Sequence, residues 1–327
     1  MIYLEMAGRL GNQMFRYSFA RRLAMKSHKK LIIDFNRVYQ KNNYKKTSGW
    51  ENSLDLFQAR NYFEERNNSK KEIFIKNATI KQLYYYYKFK IISKLLKNNK
   101  KLQKKFQIKM QPKMNQNNLF FLELGYYNYD LSHLNDTKVV YVCGCFECSK
   151  YFNEIQDEIR DNFKPIKSLE EKNKKLMKII ENNNSICITV RRGDFVTNAK
   201  NAKVYNICDV NYFEKAIEIM NFKVENPTYI IFSDDVNWVK ENIDFKNSVF
   251  YSEDGTDSVD EKLRMMSNCK HFIISNSTFS WWAQYLSQNE KKIVVSPDRW
   301  YKTNMESDLI EDKWIKINTR DDSNEKK

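Results

Sequence analysis

The sequence predicts an α/β protein with two domains, each built on a parallel β-sheet. The 327 residues exceed one domain of ordinary size. Short apolar runs alternate with segments of helical periodicity in both halves of the chain. A stretch rich in Lys, Glu and Asn follows Pro165 and is typical of a linker. We therefore expect domains over 1–165 and 166–300, followed by a C-terminal tail over 301–327.

The first half begins with a strand, glycine turn, helix, strand unit. An apolar run over 2–7 predicts a strand, and apolar residues at i, i+4 and i+8 predict a helix over 14–25. A second strand is predicted over 31–34, another over 138–144, and a further helix over 149–163. This order of elements is typical of a parallel sheet.

The second half repeats the alternation of strands and helices. Ligands of parallel α/β sheets lie beyond the carboxyl ends of the strands. The turns that follow these strands are therefore candidate positions for ligand-binding residues. Strands are predicted over 185–190, 229–232, 271–275 and 293–296, with helices over 210–220, over 259–269 and from residue 281.

A pair of arginines marks the first of these turns. Arg191 and Arg192 follow strand 185–190, and Gly193 and Asp194 complete the turn. Arginine stays charged and binds phosphate through paired hydrogen bonds. Glycine lets the backbone approach a ligand closely or adopt a turn that other residues resist. The pattern favours a diphosphate-binding site; the alternative is a surface turn with two solvated arginines.

Three other turns carry candidate ligand-binding groups. The glycine turn over 8–13 can bind a nucleotide-sugar phosphate at a helix start, although it matches neither a Walker loop nor the dinucleotide fingerprint. Asp234 and Asp235 can act as metal ligands, as a general base or as acceptors for a nucleotide base, or can simply begin a helix. Ser277 and Thr278 can bind an anion or cap the next helix.

The cysteines do not predict a metal site. Three of the six form a C-x-C-x-x-C cluster over 143–148, but no second ligand pair has suitable spacing, and the chain has three histidines. We expect reduced, partly buried thiols. The sequence has no signal-peptide pattern, and no apolar run approaches the ~20 residues needed to cross a bilayer. The predicted location is cytoplasmic.

The positive charge is concentrated in one insertion. Residues 70–113 contain fourteen lysines and one glutamate, within a formal net charge of +15 for the chain. An amphipathic helix is predicted over 88–107. It is either a solvated surface helix or a segment that contacts the anionic inner face of the plasma membrane. In the second case, attraction to the membrane would contribute on the order of 1 kcal/mol per lysine. Tyrosines 84–87 fit a membrane interface or a buried strand. The apolar side of the predicted helix comprises Phe89, Ile92, Leu95, Leu96, Leu102 and Phe106.

Taken together, these stretches resemble the α-1,2-fucosyltransferases of glycosyltransferase family 11. Residues 40–120 carry no clear motif of that family. Thr189 stands where the family's H-x-R-R-G-D-Y motif has histidine. The matching segments are 8–15 (G-x-L-G-N-Q-M-F), 144–152 (G-Y-F-Q-S-x-K-Y-F), 190–195 (the R-R-G-D motif), 232–235 (F-S-D-D), 275–283 (N-S-T-F-S-W-W) and 296–300 (P-x-x-W).

The resemblance implies a GT-B-type fold, with two Rossmann-like domains facing a central cleft. The N-terminal domain would lie on the acceptor side, and the C-terminal domain would bind GDP-fucose. The implied reaction is an inverting, metal-independent transfer of fucose to the 2-hydroxyl of a β-galactoside, in a bacterial surface glycan of O-antigen or capsule type that can be lipid-linked. The alternatives are a GT-B enzyme with another donor or linkage, or, less favoured, a basic nucleic-acid-binding protein.

The resemblance also implies roles for individual residues. Arg191 and Arg192 would hold the diphosphate and stabilise the leaving group's charge without a metal. Ser277 and Thr278 would complete this site, and Asp234 would accept a hydrogen bond from guanine. The implied donor-binding residues are Arg9, Asn12, Arg191, Arg192, Asp234, Ser277, Thr278 and Phe279.

The catalytic residues that we expect are Arg191 and Asp194. Asp194 would take the acceptor proton or would only orient the arginines. Arg9 and Asn12 would close over the sugar-phosphate from the N-terminal domain. Loss of the family's histidine at Thr189 would remove a base, unless that histidine is structural in relatives.

Overall fold

The chain folds into two α/β units, Met1–Ile166 and Lys167–Lys327. The structure is a computed structural model that describes residues 1–45, 49–66, 77–132, 134, 139–252 and 256–320. Each unit contains one sheet in which every pairing of neighbouring strands is parallel. The predicted α/β class with two Rossmann-like units is therefore confirmed.

The first unit contains a five-stranded sheet in the order β3-β2-β1-β5-β4. Its central strands are buried along their whole length, as expected for a parallel sheet covered by helices on both faces. The strands are β1 (Ile2–Glu5), β2 (Leu31–Asp34), β3 (Glu64–Glu65), β4 (Leu119–Phe120) and β5 (Val140–Val142). The helices are α1 (Leu10–Ser27), α2 (Asn36–Lys45), α3 (Ile80–Leu95), α4 (Lys100–Asn115) and α5 (Gln156–Asn162).

The second unit contains a six-stranded sheet in the order β11-β10-β9-β6-β7-β8. Its longest strands, β6 and β7, pair over seven residues. The strands are β6 (Asn184–Val190), β7 (Pro227–Ser233), β8 (Val249–Tyr251), β9 (His271–Ile273), β10 (Val294–Pro297) and β11 (Ile315–Ile317). The helices are α6 (Lys174–Asn182), α7 (Gly193–Thr197), α8 (Ala199–Tyr205), α9 (Val210–Lys223), α10 (Val236–Asn242), α11 (Val259–Asn268) and α12 (Thr278–Leu286).

In the second sheet, the strand order changes direction once, between β6 and β9. At such a switch point, the chain leaves two neighbouring strands in opposite directions, and a crevice opens beyond their carboxyl ends. The topology of the second unit therefore favours a ligand at the carboxyl ends of β6 and β9. In the first unit, strands β1–β3 and β4–β5 meet at β1 and β5 without such a change of direction.

The prediction of a single helix over 88–107 is wrong. The structure has two helices here, because Asn99 caps a new one: its Oδ1 accepts from the backbone N–H of Leu102 at 3.0 Å. Tyrosines 84–87 belong to α3 and form no strand. The part of the lysine-rich insertion at 70–76 lies outside the described residues.

Two other boundaries differ from expectation. The predicted helix over 149–163 consists of two short 3-10 turns followed by α5, because Phe152 between the turns has φ −147° and ψ 8°, which is outside the helical region. The predicted tail over 301–327 contains β11, which extends the second sheet by pairing with β10. Predicted residue 138 of the fifth strand and tail residues 321–327 lie outside the described residues.

All six cysteines are free thiols, and five of them are buried, as predicted. Burial raises the pKa of Cys145 to about 12, so this side chain is a neutral thiol at neutral pH. Among the residues that the structure describes, no helix is both long enough and apolar enough to cross a membrane.

His271 makes the stability of the second sheet depend on pH. Its Nδ1 accepts from the N–H of Ile293 at 3.1 Å, and burial followed by the charge of Lys270 lowers its pKa. The folded protein therefore binds fewer protons here than the unfolded chain, so the free energy of unfolding falls as the pH decreases below about 6.5.

We expect His271→Gln to reduce the loss of unfolding free energy between about pH 7.5 and about pH 5.5, measured by urea denaturation. His28→Asn, at an exposed histidine, is the control and should leave that loss unchanged. Equal losses in the His271 variant and the wild type would contradict this origin of the pH dependence.

Candidate functional site

Five charged side chains form a network at the carboxyl ends of β6 and β7, here called the arginine network. Arg191 donates from Nη1 to Asp234 Oδ2 at 2.5 Å and from Nη2 to Asp194 Oδ1. Arg192 donates from Nε to Asp235 Oδ2 at 3.1 Å. The predicted residues Arg191, Arg192, Asp194 and Asp234 thus lie together, although more than 40 residues separate the two turns.

Asp234 connects the two turns through both carboxylate oxygens. Its Oδ1 accepts from the backbone N–H of Arg192 at 2.8 Å, while Oδ2 binds the guanidinium of Arg191. Asp194 is held in the same way, because its Oδ2 accepts from Asn201 Nδ2 at 3.1 Å. These carboxylates therefore fix the position and direction of the Arg191 side chain.

Aromatic rings support the two guanidinium groups. Arg192 Cζ lies 3.8 Å from the centre of the Trp238 ring, a close cation–π contact. Arg191 Cζ lies 5.5 Å from the centre of Phe195, which stacks on Tyr205. Each arginine is therefore held by an ion pair on its donor edge and by a ring on its face.

Gly193 is required by the Asp234 carboxylate. A Cβ built at Gly193 would lie 2.5 Å from Asp234 Oδ2, which is closer than real contacts allow. The sequence predicted a glycine that permits close approach. The structure shows that the approaching group is this aspartate.

Thr189 joins the ends of β6 and β9 beneath the network. Its buried hydroxyl accepts from the N–H of Ser275 at 3.1 Å and donates to the carbonyl of Ile273 at 3.5 Å. The side chain that replaces the family's histidine therefore has a structural role in this chain.

The turn after β9 places Ser277, Thr278 and Phe279 next to the end of β6. Ser277 is the N-cap residue of α12, and its side chain makes no capping hydrogen bond. Thr278 and Phe279 form the first helical turn. Asn276 fixes this turn by donating to the carbonyls of Tyr205 and Trp300, at 2.9 and 2.8 Å. The turn is thus built at the switch point of the second sheet.

The first unit has its own ordered turn after β1. Gly8 has φ +91°, and a Cβ there would lie 2.6 Å from Asn12 Cβ. Gln13 donates to the carbonyls of Gly8 and Glu51, at 3.0 and 2.8 Å, and accepts from the N–H of Ser53. The predicted residues Arg9 and Asn12 therefore lie in the first unit, with Arg9 exposed above the ring of Trp50.

A second group of charges, missed by the sequence analysis, surrounds the ends of β1 and β5. Glu5, the last residue of β1, pairs with Arg37 at 3.1 Å. Lys90 Nζ lies 3.5 Å from Sγ of Cys143, which directly follows β5. We call this group the mixed-charge cluster; it comprises Glu5, Arg16, Arg37, Lys90 and Glu147.

Arg16 is the most unusual member of the mixed-charge cluster. It is 7% exposed, and its Nη2 donates to Cys145 Sγ at 3.6 Å, while Nε and Nη1 have no hydrogen-bond partner. Burial raises the pKa of Glu147, and the charge of Arg16 opposes that shift. Unpaired buried donors are costly, which makes this group a candidate for a functional role. In the sequence, Arg16 is indistinguishable from a solvated arginine on a helix.

The described residues contain no group of three His, Cys, Asp or Glu side chains that could hold a metal ion. Asp234 and Asp235 instead serve as partners for arginines. Their observed chemistry is therefore to orient cations at the end of the sheet.

Two parallel α/β units with charged residues at the carboxyl ends of their central strands fit the GT-B class of glycosyltransferases. The family model "Glycosyl transferase family 11" matches residues 1–318, and the chain belongs to this family. The predicted family is thereby confirmed.

Two Escherichia coli relatives are similar along their whole length. The α-1,2-colitosyltransferase is 28% identical, over 97% of this chain and 99% of the relative. The O-antigen biosynthesis glycosyltransferase WbnK is 30% identical, over 97% of this chain and 100% of the relative. Galactoside α-(1,2)-fucosyltransferase 2 of Pongo pygmaeus is 26% identical over 43% of this chain and 44% of the relative.

Among solved structures, NodZ α-1,6-fucosyltransferase soaked with GDP-fucose is similar with a TM-score of 0.47. It is 11% identical, over 91% of this chain and 94% of that one.

We expect Gly193→Ala to displace the Asp234 carboxylate and lower the free energy of unfolding by about 1–3 kcal/mol, because the added methyl group overlaps Oδ2. Urea denaturation measures the change. Val196→Ala on the same helix is the control, since its partly exposed side chain should change stability by less than about 0.5 kcal/mol. A Gly193 variant as stable as this control would show that the contact does not constrain the turn.

Proposed function

We propose that this chain is an inverting, metal-independent α-1,2-fucosyltransferase that moves fucose from GDP-fucose to the 2-hydroxyl of a β-galactoside in a bacterial surface glycan. One observation carries the proposal: the arginine network, fixed by three aspartates at the switch point of the second sheet. Relatives named as α-1,2-fucosyltransferases and as an O-antigen glycosyltransferase support the donor, the linkage and the kind of product.

In this proposal, Arg191 and Arg192 bind the diphosphate of the donor. The ion pairs of Arg191 engage two of the five N–H groups of a guanidinium. Its other N–H groups can bind phosphate oxygens and stabilise the charge that develops on the leaving GDP. The hydroxyl groups of Ser277 and Thr278 and the first turn of α12, which includes Phe279, are proposed to complete this site. The backbone N–H of Ser277 itself donates to the carbonyl of Ser275 at 2.7 Å.

The contacts of the aspartates refine their proposed roles. Asp234 was predicted to accept from guanine, and its two oxygens hold the arginine turn. We propose that it is first a positioning residue. Asp194 has the same kind of contacts on both oxygens, which supports orientation of Arg191 over the role of general base.

We propose that the mixed-charge cluster binds the acceptor in the first unit. A sugar presents hydroxyl groups that donate and accept, so it suits a surface with both carboxylates and cations. Arg16 supplies two buried donors without partners, and Glu5 and Glu147 supply acceptors. Arg9 and Asn12 are proposed to contact the sugar-phosphate from this unit.

A related candidate keeps the same site but transfers a different sugar. The similarity to an α-1,2-colitosyltransferase along 97% of the chain favours colitose as this second donor sugar. We further propose a cytoplasmic location close to the membrane, where a lipid-linked acceptor would be available.

The proposal predicts transfer from labelled GDP-fucose to galactose-terminated oligosaccharides, with linkage analysis giving an α-1,2 product. Arg191→Ala should lower kcat/KM by about a hundredfold or more, since one lost donor to a developing charge has effects of this size. Arg191→Lys should retain part of the activity. EDTA should leave the rate unchanged.

Arg320→Ala is the control for loss of an arginine, because Arg320 is exposed and belongs to the same unit. Transfer of colitose but not fucose from nucleotide-activated donors would select the second candidate. Failure to transfer either sugar to any galactoside, or full activity of Arg191→Ala, would contradict the proposal.

For the acceptor site, we expect Arg16→Met to raise the KM for the galactoside at least tenfold and to change the KM for the donor much less. Methionine keeps the buried volume and removes the unpaired donors. Arg22→Met on the same helix is the control: it removes an ion pair with Glu154 and a hydrogen bond to the carbonyl of Tyr151, away from the mixed-charge cluster. Equal effects of Arg16→Met on both KM values would argue against an acceptor role.

A further inference from the structure

Helix α3 has an apolar face that the fold does not use. Its inner face packs into the first unit through Phe89, which is 1% exposed. A second set of apolar side chains, here called the outer stripe, is between 47% and 86% exposed. The outer stripe consists of Ile80, Tyr84, Tyr87, Ile91 and Leu95.

The outer stripe is continuous. At 3.6 residues per turn, its five side chains fall within an arc of about 80° and extend along about 22 Å of the helix. Phe89 lies on the opposite side of the same helix. Since the inner face already supplies the packing that fixes α3, burial within the unit does not account for the outer stripe.

The surroundings of the outer stripe are strongly cationic. Residues 77–113 contain eleven lysines and no aspartate or glutamate. Lys81, Lys88 and Lys94 flank the outer stripe on α3, and Lys88 Nζ contacts Tyr84 Oη at 3.2 Å. A second copy of this positive surface would be repelled, whereas an anionic surface would be attracted.

The chemistry of the outer stripe fits a bilayer. Tyrosine rings suit the boundary between headgroups and acyl chains, and isoleucine and leucine suit the first part of the hydrocarbon. Lysines beside such a face attract anionic headgroups, by on the order of 1 kcal/mol each. The sequence predicted an apolar side that included Phe89, but Phe89 is buried in the first unit. The apolar side chains that are exposed on α3 are those of the outer stripe.

We propose that the outer stripe and its flanking lysines form a docking surface for an anionic phospholipid bilayer, with α3 lying in the plane of the membrane surface. This inference does not depend on which sugar the protein transfers. It places the first unit beside the membrane, where a lipid-linked glycan would present its sugars.

The experiment is co-sedimentation of the full chain with vesicles of phosphatidylcholine, alone or with an equal share of phosphatidylglycerol. We expect binding to the anionic vesicles that weakens in high salt, and little binding to the neutral ones. Ile91→Ser/Leu95→Ser should weaken binding at least tenfold, as should Lys81→Gln/Lys88→Gln/Lys94→Gln. Circular dichroism melting confirms that each variant is folded.

Two control variants match these changes elsewhere on the surface. Phe222→Ser removes an apolar side chain that is 89% exposed on α9. Lys175→Gln/Lys178→Gln/Lys215→Gln removes three exposed lysines of the second unit. Binding equal to wild type in both controls would assign the effect to α3.

Three results would overturn the inference. The first is that the α3 variants bind vesicles as well as the controls do. The second is that sedimentation velocity shows a wild-type dimer that Ile91→Ser/Leu95→Ser dissociates. The third is that the α3 lysines are needed for binding a single-stranded RNA but not for binding vesicles.

Discussion

The arginine network depends on carboxylates that outnumber its cations. Three aspartates hold two arginines, so the network has a formal charge of −1. An excess of positive charge therefore does not account for the diphosphate binding that we propose at this site. The aspartates keep the guanidinium groups in a fixed orientation, so the N–H groups that remain can meet phosphate oxygens with little rearrangement. Gly193 and Thr189 serve this arrangement by leaving space for Asp234 and by joining β6 to β9.

Both units carry charged residues at the carboxyl ends of their central strands, but the chemistry of these residues differs. In the second unit, the switch point holds arginines, hydroxyls and a helix N-terminus, which suit an anion. In the first unit, the ends of β1 and β5 hold cations and carboxylates together with a buried arginine that has two unpaired nitrogens, which suits a polyhydroxyl ligand. This contrast supports a division between donor and acceptor binding that relies on the observed side chains of each unit.

The parts of the structure that depend on local sequence could be predicted. Short apolar runs that end in polar residues predict several of these parts. They include the strand before Arg191, the turns at Gly8 and Asp234, and the start of α12. The Asp234 contact with the Arg192 backbone joins turns 42 residues apart, and no local pattern encodes it. The prediction of one helix over 88–107 was wrong because Asn99 caps a new helix, although the spacing of apolar residues continues through it. The burial of Arg16 could not be predicted from the sequence, because it depends on contacts with the turn after β5, which is distant in the chain.

The most direct test of the central claim is a crystal structure of the chain bound to GDP. The account predicts diphosphate oxygens within hydrogen-bond distance of Arg191 and Arg192, with Asp194, Asp234 and Asp235 still paired to them. A nucleotide bound elsewhere, or a diphosphate with no contact to either guanidinium, would contradict the account.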